Sequence, residues 1–309
     1  MRISKPNSRK ILRLIMAMTV IGLLGYSTYS VDSFSVKNKI KENNKLINEL
    51  NRITDVYEYF NYKKIVRVDI CHSVSLYNFN KNKCVDIRKY NIVIFGDSYA
   101  ASLYPGLNYV RNKEFNDVGI TQMTDGNGPP FFKNGKTDDG KTLVEANNNR
   151  IKIVSEIKPQ IVLINWMVGG ANDVTTKEES LLEINKTIDK IISISPTSKV
   201  IIVGSFPKWK ATLRRQMINY FKKTQLDPPF YISYGLDYAD KEFDLFLSKN
   251  IKIENVKYIS PYDYMCTVEG CLTRVTDNAS DLTAVDWGHL TNAGSIFLAE
   301  KIKSLIFQF

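Results

Sequence analysis

From about residue 90 to the end of the chain, short apolar runs alternate with longer stretches of helical periodicity. The runs that have the length of strands are 91–95, 117–123, 160–166, 199–205 and 257–260. The stretches that predict helices are 100–110, 143–157, 177–194, 241–250 and 292–306. Strands that are apolar throughout and separated by helices are typical of a parallel sheet covered on both faces. The sequence therefore predicts an α/β fold.

One long stretch of the chain, 207–238, fits neither the strand period nor the helix period. It is aromatic and basic, and it contains Pro228 and Pro229. Because such a stretch adds neither a regular strand nor a regular helix, we interpret it as an insertion over one edge of the functional site.

The first 31 residues predict a membrane-targeting segment. Basic residues without any acidic neighbour come before residue 14, at Arg2, Lys5, Arg9, Lys10 and Arg13. The apolar run 14–25 follows, and the hydroxyl-rich residues 26–31 extend it to the length of a membrane span. We predict a signal anchor at 14–31, with a cleaved signal peptide as the alternative. Basic residues ahead of a span keep the N-terminus in the cytoplasm, so the rest of a single-pass chain crosses the cytoplasmic membrane.

The predicted order is a cytoplasmic N-terminus (1–13), the anchor, a partly helical linker (32–66) and one extracytoplasmic domain (67–309), in the periplasm or at the cell surface. The net charge is +10, but the basic residues before position 14 supply half of it. Elsewhere Lys is intermixed with Asp and Glu. Such a surface does not indicate a nucleic-acid partner.

The chain has four cysteines, which form two pairs along the sequence. Cys71 and Cys84 precede the first predicted strand, and Cys266 and Cys271 lie five residues apart. An even number of cysteines outside the cytoplasm predicts two disulfides, and pairing of sequence neighbours is the simplest of the three connectivities. A zinc site is the alternative, but no C-x-x-C spacing occurs. We therefore predict no metal and no cofactor.

A serine, a histidine and an aspartate predict a nucleophilic site. Ser98 follows the first strand, and ligands of parallel α/β sheets bind at the carboxyl ends of strands. His289 is one of only two histidines and lies three residues after Asp286. A serine hydroxyl needs a base, and an aspartate can orient the imidazole. The alternatives are a helix-capping Ser98 and a structural Asp-His turn. The other histidine, His72, lies far from any predicted strand end, which favours a packing or surface role.

Together, Gly96-Asp97-Ser98 and Asp286-x-x-His289 resemble the first and last sequence blocks of the SGNH hydrolase superfamily, which includes the GDSL esterases. The resemblance implies a flavodoxin-like three-layer α/β/α sandwich around about five parallel strands. It also implies that Ser98 is the nucleophile, His289 the base and Asp286 its orienting group.

A narrower resemblance adds Tyr104-Pro105-Gly106-Leu107, Gly204-Ser205-Phe206-Pro207 and the two cysteine pairs. This pattern is similar to the extracytoplasmic SGNH domain of integral-membrane acyltransferases that O-acetylate surface glycans. It implies an O-acetyltransferase that modifies a cell-surface polysaccharide through an acyl-Ser98 intermediate, as a freestanding domain that works with a separate integral-membrane acyltransferase. A carbohydrate O-acetyl esterase and a non-catalytic glycan-binding or assembly module are the alternatives. The aromatic residues expected to contact sugar are Trp166, Trp209, Tyr231 and Tyr234.

The resemblance also implies an oxyanion hole. Its donors would be the N–H of Ser98, the N–H of Gly126 or Gly128 after the second strand, and the side chain of Asn172, with Asn165 as the alternative. Tyr99 departs from the family pattern, because it replaces the Leu of plain GDSL enzymes and the His common in the acyltransferase-linked domain.

Overall fold

The computed structural model describes residues 18, 19, 22, 26, 45–72, 81–168 and 176–309. The chain divides into two compact units, residues 1–48 and 49–309. In the first unit, all described residues are helical. Most of the predicted anchor, and the first part of the predicted linker, fall outside the described residues. Among the residues that are described, no helix is both long and apolar enough to cross a membrane.

The second unit is built on a parallel sheet. Its strands are β1 (Tyr90–Gly96), β2 (Val118–Thr124), β3 (Ile161–Asn165), β4 (Lys199–Val203) and β6 (Val256–Ile259). They lie in the order β2-β1-β3-β4-β6, and every neighbouring pair is parallel. The predicted α/β fold with five parallel strands is confirmed. A small antiparallel sheet is formed by β5 (Tyr231–Ile232), β7 (Cys266–Thr267) and β8 (Gly270–Leu272), in the order β5-β8-β7.

Short helices precede β1, and another short helix follows β6; the longer helices lie between the strands of the parallel sheet and after β8. The helices are α1 (Lys45–Arg52), α2 (Val56–Tyr59), α3 (Tyr62–Ile65), α4 (Lys81–Cys84), α5 (Ser98–Glu114), α6 (Leu143–Ile157), α7 (Lys177–Ile194), α8 (Leu213–Thr224), α9 (Tyr238–Asn250), α10 (Tyr262–Met265) and α11 (Asn292–Ile306).

Successive residues of β1 point into two different cores. Ile92 and Ile94 pack with side chains of α5 and α11, whereas Val93 and Phe95 pack with those of α6, α7 and α9. All four are fully buried. The alternation of side chains in a strand thus places one layer of helices on each face, which produces the three-layer sandwich.

The stretch 207–238 is more regular than its sequence suggests. It contains α8, which begins at Leu213 after the N-cap Thr212, and it contains β5. It also lies against the loop of the candidate site, because the N–H groups of Trp209 and Leu213 donate to the carbonyls of Trp287 and Asp286 at 2.7 and 2.8 Å. The expectation that this stretch lacks regular structure was therefore wrong in part. The sequence did not reveal α8 because only a narrow face of this helix is buried.

Both predicted disulfides are present. Cys71 is bonded to Cys84, and Cys266 to Cys271. The first bond ties the segment before β1 to α4, and the second closes the hairpin of β7 and β8. The compact unit begins at residue 49, so the second half of the predicted linker is part of it.

Candidate active site

Ser98 lies at the first turn of α5, directly after β1. Gly96, the last residue of β1, has a φ of 155°, and a Cβ added to it would lie 1.8 Å from the backbone oxygen of Asn165. Only glycine allows the chain to turn so close to β3. Because β1 and β3 are neighbours from which the chain continues in opposite directions along the sheet, this turn lies at the topological switch point, where α/β sheets bind ligands.

His289 and Asp286 reach this turn from the loop before α11. The Oγ atom of Ser98 lies 2.7 Å from Nε2 of His289. Nδ1 of His289 lies 2.8 Å from Oδ2 of Asp286. A carboxylate accepts hydrogen bonds, so it fixes the tautomer in which Nδ1 carries the proton and Nε2 is free to accept the serine proton. The structure therefore brings together all three residues that the sequence singles out.

The loop itself holds the Asp286 carboxylate. Its Oδ1 accepts the backbone N–H groups of Gly288 and His289, both at 2.9 Å. Burial opposes the charged form, but the hydrogen bond and charge of His289, with the N–H of Gly288, outweigh it and lower the pKa of Asp286 to about 2. The carboxylate is thus ionised at neutral pH and can stabilise an imidazolium.

Asp97 links the serine turn to the end of β3. One carboxylate oxygen accepts the N–H of Tyr99 at 2.8 Å, and the other accepts the N–H of Met167 at 2.9 Å. Burial raises the pKa of Asp97 to about 6 despite these two donors. Asp97 rather than Ser98 is the N-cap of α5, so the capping alternative for Ser98 does not apply.

The expected oxyanion donors have different positions. Ser98 is the first residue of α5, so its N–H has no acceptor within the helix. The loop after β2 starts beside the serine turn, because the N–H of Asp125 donates to the Gly96 carbonyl at 3.1 Å. Within this loop the N–H of Gly128 donates to the Asp125 carbonyl at 3.3 Å, so the turn already uses it. Gly126 stays a prediction.

Two asparagines, Asn165 and Asn172, were expected as the side-chain donor to the oxyanion. The side-chain NH2 group of Asn165 donates to the carbonyls of Val203 and Gly204 at 2.8 and 2.9 Å. Both of its protons therefore link the carboxyl ends of β3 and β4. Asn165 is therefore not a free donor for an oxyanion. Asn172 lies outside the described residues.

Tyr99 faces the core rather than a substrate. Its ring is fully buried, stacks on Phe206 with ring centres 5.0 Å apart and meets the His289 ring edge-on at 5.0 Å. The departure from the family pattern at this position therefore changes the support of the imidazole, because the phenol packs directly against it.

Two further polar side chains near the site are buried, and sequence analysis missed the position of both. Arg150 of α6 donates to the carbonyls of Gly96 and Gly128 at 2.5 and 3.0 Å and to Asp125 at 3.0 Å. His72 is also buried; its Nδ1 lies 3.2 Å from the hydroxyl of Thr124, at the carboxyl end of β2. The expected distance of His72 from any strand end was wrong, and burial lowers its pKa to about 4.

The aromatic residues expected to contact sugar are only partly accessible. Trp166 and Trp209 are buried, and Trp166 packs edge-on against Phe131. Neither can stack on a glycan, so that expectation was wrong for both. Tyr231 and Tyr234 are partly exposed. In the part of the chain that the structure describes, no three His, Cys, Asp or Glu side chains lie where they could share a metal ion.

The fold and this arrangement define an SGNH hydrolase-like protein: a five-stranded parallel sheet with serine, histidine and aspartate at its carboxyl edge. The profile of the family described as "SGNH domain (fused to AT3 domains)" matches residues 70–304, and the chain belongs to this family. No curated protein sequence matches the chain.

One of the similar solved structures supports this family. The periplasmic domain of the lipopolysaccharide acetyltransferase of Salmonella ser. Paratyphi A is 42% identical, with a TM-score of 0.81 over 84% of this chain and 100% of that chain. A carbohydrate acetylesterase family member from Sinorhizobium meliloti is 8% identical, with a TM-score of 0.44 over 70% of this chain and 97% of that chain. The second similarity is too low to support any argument.

Proposed function

We propose that the chain is an extracytoplasmic acyl-ester enzyme that transfers an O-acetyl group to a cell-surface polysaccharide through an acyl-Ser98 intermediate. The observation that carries this proposal is the unbroken series of hydrogen bonds from Ser98 through His289 to Asp286. The 42% identity to a lipopolysaccharide acetyltransferase domain supports acetyl transfer as the reaction and a glycan as the acceptor.

The chemistry has two half-reactions with the same residues. Ser98 Oγ attacks the carbonyl carbon of the acetyl donor while Nε2 of His289 takes the hydroxyl proton. The N–H of Ser98, and in our proposal that of Gly126, stabilise the oxyanion. The intermediate collapses to acetyl-Ser98, and His289 returns the proton to the leaving oxygen. A sugar hydroxyl then gives up its proton to His289 and attacks the acetyl carbonyl. The second intermediate expels Ser98 Oγ, to which His289 returns the proton, and the acetylated sugar leaves.

The proposed location of the enzyme rests on its N-terminal segment and its disulfides. We propose that the segment 14–31 anchors the chain in the cytoplasmic membrane, with the N-terminus inside and the enzyme domain outside. The two disulfides support an oxidising compartment. Fusion to AT3 domains in the family supports a separate integral-membrane acyltransferase as the partner that supplies the acetyl group.

The purified chain should release p-nitrophenol from p-nitrophenyl acetate, and Ser98→Ala should abolish that release, because the Ser98 hydroxyl is the group that lies 2.7 Å from Nε2 of His289. Ser155→Ala is the control, since the Ser155 hydroxyl is exposed on α6 and donates to the Lys152 carbonyl of the same helix at 2.8 Å. A Ser98→Ala variant that keeps the wild-type rate would refute the assignment of the nucleophile.

The acceptor separates transfer from hydrolysis, since both use the same triad. With p-nitrophenyl acetate as donor and a de-O-acetylated surface polysaccharide as acceptor, we expect acetyl ester on the polysaccharide that depends on Ser98. Free acetate as the sole product under these conditions would instead identify an O-acetyl esterase.

A further inference from the structure

The segment from residue 49 to 66, here called the N-terminal strap, precedes the part of the chain that matches the family profile. It nevertheless belongs to the compact enzyme unit. The strap is held near both ends: Arg214 Nε donates to the Leu50 carbonyl at 2.5 Å, and Gln122 Nε2 donates to the Val66 carbonyl at 3.1 Å. Leu50 and Val66 are fully buried. The strap is therefore a fixed element rather than a loose tether.

Between these two ends, the strap places Tyr57 at the candidate triad. Asp55 caps α2, and its side chain accepts the N–H of Tyr57 at 2.8 Å, which sets the orientation of this turn. The Tyr57 hydroxyl donates to Oδ2 of Asp286 at 2.7 Å. This is the same oxygen that accepts Nδ1–H of His289.

A second tyrosine of the strap supports the same site. Tyr62 is buried, and its ring meets that of Tyr57 edge-on at 5.5 Å and that of His289 edge-on at 5.8 Å. The strap thus contacts the imidazole through one ring and the carboxylate through one hydroxyl.

We propose that Tyr57 is a positioning residue for the acyl-transfer reaction, and that the N-terminal strap completes the catalytic site of the family domain. This inference rests on the proposed function. Two backbone N–H groups fix Oδ1 of Asp286. Within the described part of the chain, the hydrogen bonds to Oδ2 come from the Tyr57 hydroxyl and the imidazole. The hydroxyl therefore prevents the carboxylate from turning Oδ2 away from Nδ1. An oriented carboxylate keeps Nε2 aimed at Ser98.

The Tyr57 hydroxyl acts as a permanent donor. Burial, followed by the hydrogen bond to Asp286 and its charge, raises the pKa of Tyr57 well above its usual value. The phenol accordingly keeps its proton throughout the range in which an ester enzyme works, and it does not compete with His289 as a base.

The test removes only the hydroxyl. In the purified chain, Tyr57→Phe should lower kcat for p-nitrophenyl acetate about tenfold, the factor that one hydrogen bond to a charged group is worth. KM should stay within about twofold, since Tyr57 acts through Asp286 and not on the substrate. Tyr59→Phe is the matched control, because Tyr59 lies on the same helix with similar exposure and its ring packs on Phe60. This control should keep the wild-type kcat.

A spectroscopic measurement makes the result independent of activity. The chain has only two histidines, so the downfield proton of the His289–Asp286 hydrogen bond can be assigned in spectra of 15N-histidine-labelled protein by means of a His72 variant. In Tyr57→Phe this resonance should move upfield and exchange faster with water, while in Tyr59→Phe it should not change.

An unchanged kcat together with an unchanged resonance in Tyr57→Phe would overturn the inference. If the wild-type chain shows no Ser98-dependent activity, the proposed function fails, and the resonance alone then decides whether Tyr57 orients Asp286.

Discussion

Gly288 lies between the two acid–base residues of the site and has no room for a side chain. A Cβ at this position would lie 2.1 Å from the Tyr99 hydroxyl oxygen and 3.1 Å from the ring carbon that carries it. Among the described residues, that hydroxyl has no hydrogen-bond partner. The hydroxyl oxygen of Tyr99 therefore makes glycine necessary at position 288. Removal of this oxygen should allow alanine there.

Gly288→Ala should lower kcat/KM for p-nitrophenyl acetate about 100-fold, because the clash displaces the loop that carries His289. Tyr99→Phe alone should change it little, since it removes an unpaired hydroxyl. The double variant should recover most of the loss, because the nearest remaining atom lies at 3.1 Å. Steady-state rates for the four proteins of this double-mutant cycle provide the check. A double variant no better than Gly288→Ala would contradict this explanation.

Arg150 connects one element, helix α6, to the two loops that form the base of the site. The guanidinium is fully buried and bonds the end of β1 through Gly96 and the loop after β2 through Gly128. Its charge is compensated by Asp125, which also pairs with Lys141. A buried cation with this many acceptors fixes the distance between the serine turn and the predicted oxyanion loop.

Removing the charge of Arg150 should destabilise the whole unit. In Arg150→Met we expect the free energy of unfolding to fall by about 3–5 kcal/mol, because Asp125 and two carbonyls lose a buried donor. Arg88→Met is the control: the Arg88–Asp86 pair is about one-third exposed, so its loss should cost less than about 1 kcal/mol. Urea denaturation measures both values. Equal decreases in the free energy of unfolding of the two variants would show that the buried network stabilises the fold no more than a surface ion pair does.

At the scale of the whole molecule, buried carboxyl groups oppose folding at neutral pH. Burial raises the pKa of Asp97, of Asp240 and of Asp244 to about 6. Each folded-state pKa lies above the unfolded value, so each group favours the folded state at low pH, and this contribution is lost as pH rises through about 6. Asp286 has the opposite sign, since its lowered pKa contributes stability that is lost only in acid.

Asp244 offers a clean test, because the side chains that donate to it, Tyr258 and Ser260, are uncharged hydroxyls. The backbone of Ser205 also donates to its carboxylate, and burial still raises the pKa. An asparagine can keep one of these bonds, and the other hydroxyl can turn to accept from its NH2 group. Relative to Asp244→Asn, the wild type should be about 2 kcal/mol less stable at pH 7.5 than at pH 4.5, as follows from a pKa near 6 in the folded state. Denaturation curves at the two pH values measure this difference. A difference that does not vary with pH would contradict the raised pKa.

The sequence was informative wherever the pattern is local. The runs around Ile92 and Ile201 predicted strands correctly because side chains buried on both faces leave a continuous apolar stretch. The β1 turn and the Asp286/His289 loop could be found because each is a short motif.

Contacts between distant parts of the chain left no such pattern. The Tyr57–Asp286 hydrogen bond joins residues that are 229 positions apart. In the sequence, Arg150 looks like any polar residue on the exposed face of an amphipathic helix, although it is bonded to the Gly96 carbonyl. Trp166 was expected at a sugar-binding surface because the sequence reveals the residue type but not whether the side chain is exposed. In the structure, the ring of Phe131 packs against Trp166. Asn165 shows the same limit, since only the neighbouring strand reveals that its amide is already used.

The central claim is that Ser98 carries the acyl group, and the most direct measurement is the mass of the peptide that contains Ser98. After brief exposure of the chain to p-nitrophenyl acetate and an acid quench, we predict one acetyl group on Ser98. Ser98→Ala should show none, and Asp286→Asn should show slower labelling because His289 loses its orienting carboxylate. Turnover of the ester by wild-type protein with no acetyl group on Ser98 at any time after mixing would contradict the account.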